Sequence, residues 1–113
     1  TSLNRPNGLA IAGGNIWVVS FGGSELYGID NGAKGQTAVL PAGGLDGLHV
    51  MEDGSFLVSS WDGKAVYRGP ANGPFQPIIE NVESPADIGF DSKRNLVLVP
   101  HFTENRVTLH PLR

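Results

Sequence analysis

Cysteine is absent from the 113 residues, which removes disulfides and thiolate metal sites and leaves the redox compartment undecided. No apolar run approaches twenty residues, so no segment reads as a membrane-spanning helix. Basic residues are few. Eight Lys and Arg against eleven Asp and Glu give a net charge of −3 with no basic stripe, which argues against nucleic acid as a partner. Helical spacing of apolar residues is never sustained, and no glycine pattern of the phosphate-cradling kind opens a helix. A start at Thr1 reads as a mature, trimmed or engineered N-terminus. The lack of a targeting segment therefore assigns no compartment, and a soluble periplasmic or secreted setting stays open.

What is present is glycine and proline, sixteen and eight of them, alternating with short runs of Val, Ile, Leu, Phe and Trp. That alternation predicts many short strands joined by tight turns, in an all-β chain long enough for one domain. Asn7-Gly8-Leu9 returns as Asp46-Gly47-Leu48 at an offset of 39 (46 minus 7), and at an offset of 40 Phe21 falls on Trp61 and Tyr27 on Tyr67. A second offset of 40 puts Ala86 under Asp46, Ile88 under Leu48 and His101 under Trp61. Three units follow, at about 1–42, 43–82 and 83–113.

The first unit divides into strands Leu9 to Ala12, Ile16 to Ser20, Glu25 to Asp30 and Gln36 to Leu40. The second divides into Leu48 to Met51, Ser55 to Ser60, Ala65 to Arg68 and Phe75 to Ile79. The third has Ile88 to Phe90, Leu96 to Val99 and Arg106 to Leu109, and lacks an outer strand. Four antiparallel strands per forty residues predict β-propeller blades. The second strands, Ile16 to Val19 and Leu96 to Val99, read as covered on both faces, and Pro77 fits an outer edge strand. Three blades are half of a six-bladed ring and cannot close. The remainder is expected from a missing N-terminal half or from a second copy of the chain.

Arg5-Pro6-Asn7-Gly8-Leu9-Ala10, Leu45-Asp46-Gly47-Leu48 with Phe56 to Trp61, and Ser84 to Phe90 with Val99 to Val107 together resemble the last three blades of the regucalcin/gluconolactonase family. That group of six-bladed propellers includes diisopropylfluorophosphatase. The resemblance implies a calcium or other divalent ion at the channel mouth, with Asn7 and Asp46 among its ligands and the remaining ligands on absent blades. It implies a lactone or ester substrate, Asp46 as the reactive carboxylate and His101 above the metal. The family's tetrapeptide begins with Pro where this chain has Leu45.

Oxygen donors suit a hard divalent cation, which would polarise a carbonyl or phosphoryl oxygen while a carboxylate takes a proton or attacks. By local context alone, Asn7-Gly8 is a common turn pair, Asp46 an ordinary cap of a strand end, and His101 a hydrogen-bonded histidine. Phe21, Trp61 and His101 fall at equivalent positions and are expected to line one mouth of the channel. Asp87 either points to the channel or bonds backbone groups within it, and His49 and His110 read as structural or exposed. The functional expectation is half of a metal-dependent lactonase or ester hydrolase, inactive by itself. The alternative is a non-catalytic propeller used for binding or assembly.

Overall fold

The computed structural model describes residues 3–112, which form eleven strands and no helix. In chain order these are β1 (Pro6–Ala12), β2 (Asn15–Ser20), β3 (Glu25–Asp30), β4 (Ala33–Val39), β5 (Leu45–Val50), β6 (Phe56–Ser60), β7 (Ala65–Gly69), β8 (Gln76–Glu80), β9 (Gly89–Asp91), β10 (Leu96–His101) and β11 (Arg106–Pro111). They make three antiparallel meanders, β1-β2-β3-β4, β5-β6-β7-β8 and β9-β10-β11. These are blades of a β-propeller, with the last sheet lacking an outer strand and the ring not closed.

Local chemistry sets the ends of the strands. Asn31 and Gly32 both take positive φ, 50° and 76°, the conformation of a two-residue hairpin turn that matches strand twist. As a result β4 starts at Ala33, earlier than the expected Gln36, and pairs at once with Asp30. The inner strands β1 and β5 also start early, at Pro6 and Leu45. Each is interrupted by a register shift, between Pro6 and Leu9 and between Leu45 and Leu48. Pro77 lies in β8, the edge strand of the second sheet, where no further strand asks for its missing N–H.

Two apolar layers hold the stack together. Trp17, Val19, Leu26 and Leu40 of the first sheet meet Leu45, Leu48, Phe56 and Val58 of the second. Leu57, Val66 and Ile79 on the far face of the second meet Ile88, Val97 and Val99 of the third. Each such side chain contributes roughly 1.5–3 kcal/mol through burial. The second strand is covered on both faces along all five residues of β6 and along Trp17 to Ser20 of β2. In β10, Val97, Val99 and His101 are buried while Leu96, Leu98 and Pro100 are half-buried. Ile16 of β2 is half-exposed. The expected double cover holds in β2 from Trp17 onward and is corrected at Ile16 and in β10: among the described residues no sheet lies on the outer faces, where Leu9, Ile11, Val107 and Leu109 are exposed.

The inner strands approach one another so closely that side chains are excluded at two points. A Cβ on Gly8 would lie 2.3 Å from the Asp46 carbonyl oxygen, and one on Gly47 would lie 2.5 Å from the Ile88 nitrogen and 2.7 Å from the Ala86 carbonyl oxygen. Gly8 thus faces the residues flanking Gly47, and Gly47 faces those flanking Asp87. The three occupy one repeated position, and Asp87 is exposed.

Candidate functional site

The register shifts in β1 and β5 fall on Asn7-Gly8 and Asp46-Gly47, so both polar side chains sit on bulges, which re-aim a side chain out of the normal alternation. The Asp46 bulge is pinned by Ser59, fully buried, whose hydroxyl accepts from the Gly47 N–H at 2.7 Å and donates to the Ala86 carbonyl at 2.7 Å. Ser59→Ala leaves both backbone groups unpaired across the second and third sheets. It is expected to lower the unfolding free energy, read from denaturant titration, by about 1–3 kcal/mol.

Asp46 Oδ2 accepts from the Trp61 indole N–H at 3.0 Å, and the Asn7 side chain lies beside the carboxylate. Sequence spacing placed Asn7 and Asp46 at equivalent strand entrances, and the structure brings them into contact. Burial pushes the Asp46 carboxyl above its ordinary value against the Trp61 bond; the neighbouring Asp87 charge raises it further and the Asn7 amide lowers it. Asp46 is therefore more basic than a free carboxylate, which suits a group that accepts a proton.

Beside it runs an aromatic row. The Arg5 guanidinium lies 5.5 Å from the centre of the Phe21 ring. Phe21 meets Trp61 edge-to-face at 5.4 Å, and Trp61 meets Phe102 at 5.8 Å. Phe21 and Trp61 therefore pack on each other. The third place belongs to Phe102, which the repeat alignment had missed, while His101 is buried at 2% exposure. Val50 and Phe56 enclose five residues, 51 to 55, whereas their counterparts Phe90 and Val97 enclose six, 91 to 96. That extra turn residue shifts everything after it by one. Comparing the hairpins by their turn lengths would have exposed it.

His101 instead shares the position of Ser20 and Ser60. Ser20 bonds the Leu3 carbonyl and, at 2.7 Å, the Tyr27 hydroxyl, and Ser60 donates to the Gly43 carbonyl at 2.6 Å. His101 Nδ1 donates to the Glu83 carbonyl at 2.9 Å, and its Nε2 meets the Thr108 hydroxyl at 2.8 Å. Each of the three clamps the loop that leads into its own sheet. His101→Ala unpairs the Glu83 carbonyl and Thr108, and an unfolding free energy lower by about 1–3 kcal/mol is expected in denaturant titration.

Thr108 Oγ1 also lies 2.7 Å from His110 Nε2. Burial, and then the nearby His101, hold the His110 imidazole below its ordinary value, and burial does the same for His49, which packs on Phe90 at 5.6 Å. The unfolded chain binds protons at these residues near 6.5, where the folded chain resists them. Stability from this source is complete above that pH and falls as the pH drops through the lowered folded values. A melting temperature that is level from pH 8 to 7 and declines below about 6.5, less steeply in His110→Asn, is the expected result.

Cavities of about 430 Å³, beside His49, Met51, Glu52 and Phe90, and about 440 Å³, beside Leu9, Ile11 and Ile16, lie away from Asp46. The second is the uncovered apolar face of the first sheet, and neither has the bonded polar pair of the mouth. No group of three or more His, Cys, Asp or Glu able to hold a metal occurs among the described residues. Calcium takes six to eight oxygen ligands, more than the side chains of Asn7 and Asp46 supply. Asn7 and Asp46 do not make a calcium centre by themselves. Ala86, at their repeated position in the third sheet, adds no donor.

The three sheets define a segment of a β-propeller with one half-buried carboxylate in an aromatic setting. No family model matches the chain, and no curated protein does. Among solved structures it is similar to selenomethionine-substituted virginiamycin B lyase from Staphylococcus aureus, with a TM-score of 0.70 and 15% identity over 99% of this chain and 43% of that one. A streptogramin B lyase structure gives 0.64 and 18% over 92% of this chain and 39% of that one. A catalytically inactive His-to-Ala variant of the Staphylococcus aureus lyase, with quinupristin, gives 0.68 and 16% over 99% and 43%. The likeness is one of fold, and the chain spans less than half the length of these proteins.

Proposed function

We propose that this chain supplies part of the channel mouth of a propeller enzyme that acts on small-molecule esters or lactones, with Asp46 as the proton acceptor. The observation that carries this is the half-buried Asp46 carboxylate, oriented by the Trp61 indole and Asn7 and raised above its ordinary value by burial. A carboxylate so placed takes the proton of a water attacking an ester carbonyl, giving hydrolysis. Taking a proton from the carbon next to the one that bears the ester's alkyl oxygen would instead form a carbon–carbon double bond, break the alkyl C–O bond and expel the carboxylate, giving elimination. Asn7 and Trp61 hold the acceptor oxygens in place, and the clamp at His101 fixes the loop leading to Ala86 and Asp87. A calcium or other divalent ion, implied by the resemblance to the gluconolactonase group, would polarise the carbonyl. It would draw most of its oxygen ligands from outside these three blades.

The working form on this proposal is a larger ring, completed by further blades or by a second copy, so the intact mass and oligomeric state are measured first. A panel of lactones and esters is then offered to the assembled protein and to Asp46→Asn. Equal turnover by the two would remove Asp46 from the reaction. Ala86, in place of a third polar residue, favours a second reading: a non-catalytic binding or assembly module. Protection against unfolding by millimolar calcium, lost in Asp46→Ala, supports the metal-dependent enzyme, and no response to calcium supports the module.

A further inference from the structure

The aromatic row is built from one repeated position, the first residue after the second strand of each sheet: Phe21 after Ser20, Trp61 after Ser60, Phe102 after His101. The preceding residue is in each case a buried polar clamp, so the chain spends one position on holding the loop and the next on presenting a ring. Phe102, the last ring of the row with no sheet beyond it among the described residues, is 72% exposed. Some of the polar groups beside the row are already engaged. The Trp61 N–H is bonded to Asp46, and the Arg5 guanidinium lies over Phe21. A polyhydroxylated sugar lactone needs several free donors and acceptors placed around it. This part of the mouth offers ring faces and edges instead, which favour a flat apolar partner.

We propose that the row Phe21, Trp61 and Phe102 is a substrate platform selecting an ester or lactone that carries an aromatic or similarly flat apolar ring, in preference to a sugar lactone. The assignment rests on the ester-opening function proposed above and concerns which member of that class is held. The ring lies against Trp61 and Phe102 and brings the ester group toward Asp46, whose position is fixed to Trp61 by the indole bond.

The test reads the indole N–H resonance of Trp61 by ¹H–¹⁵N NMR on the chain as it is. Trp17 is 7% exposed, and its indole, bonded to the Ala12 carbonyl, serves as an internal control. Titration with 3,4-dihydrocoumarin, an aromatic lactone, is expected to shift the Trp61 signal saturably, while glucono-1,5-lactone at the same concentrations leaves it in place. Phe102→Ala, at an exposed site that does not threaten folding, is expected to weaken the dihydrocoumarin interaction about 3- to 10-fold. A sugar lactone that binds as well as the aromatic one, or a Phe102→Ala titration superimposable on the parent's, overturns the assignment. Turnover separates this from the function itself. An aromatic lactone that binds but is never opened by the assembled protein sinks the enzyme and leaves the platform standing, whereas esters opened without preference for ring-bearing ones do the reverse.

Discussion

Gly47→Ala is expected to unfold a large part of this protein's stability, by about 1–3 kcal/mol or more, although it adds a single methyl group. The added carbon would sit 2.5 Å from the Ile88 nitrogen and 2.7 Å from the Ala86 carbonyl oxygen, with the Ile88 side chain at 2.9 Å. Two of these neighbours are backbone, held by the Ser59 bridge and by the strand pairing behind it, so they cannot rotate aside as a flexible side chain would. The sheets must part, and the apolar layer of Leu57, Val66, Ile88, Val97 and Val99 opens with them. Gly23→Ala is the control. Its nearest neighbour would be the Asn4 amide at 3.6 Å, and an effect within about 0.5 kcal/mol is expected. Chemical denaturation of the two variants beside the parent decides the matter, and equal midpoints would show that the inter-sheet approach is looser than described.

Asp46→Asn carries the largest functional expectation, a fall in turnover of about 10²–10⁴-fold in the assembled protein, the usual range for removing a positioned proton acceptor. The amide keeps the shape of the carboxylate and can still accept from the Trp61 indole, so the mouth is preserved while its basicity is lost. Stability should move the other way or not at all. Burial and the Asp87 charge disfavour the carboxylate, so the folded chain holds the Asp46 proton more strongly than the unfolded chain. That opposes folding as the pH rises above 3.8 through the raised folded value, and the penalty persists at neutrality. Asparagine removes it. Lower activity with undiminished thermal stability at pH 7 is the paired outcome, and a variant that loses both would make Asp46 a structural residue.

Much of this was legible because the punctuation of the chain is chemical. Asn31-Gly32 and Asp53-Gly54 marked their hairpins, and the count of eleven strands followed from such turns. The meeting of Asn7 with Asp46 was foreshadowed by their equivalent places before two similar strands. Bulges were not legible, since a register shift leaves no composition signal, and so β1 and β5 begin earlier than periodicity suggests. The placing of Phe102 was lost to a single extra residue in one turn, which a period near forty tolerates without losing its match. The half-cover of Leu96, Leu98 and Pro100 depends on what lies against the sheet, and an apolar strand reads alike whether one face or two are covered.

Asp87 replaces hydrogen with a carboxylate at the one repeated position where close contact between blades forbids even a methyl group. The first two inner strands nest against their successors through a glycine, and the third carries a charged side chain at that place, so a further sheet could not lie against it by the same approach.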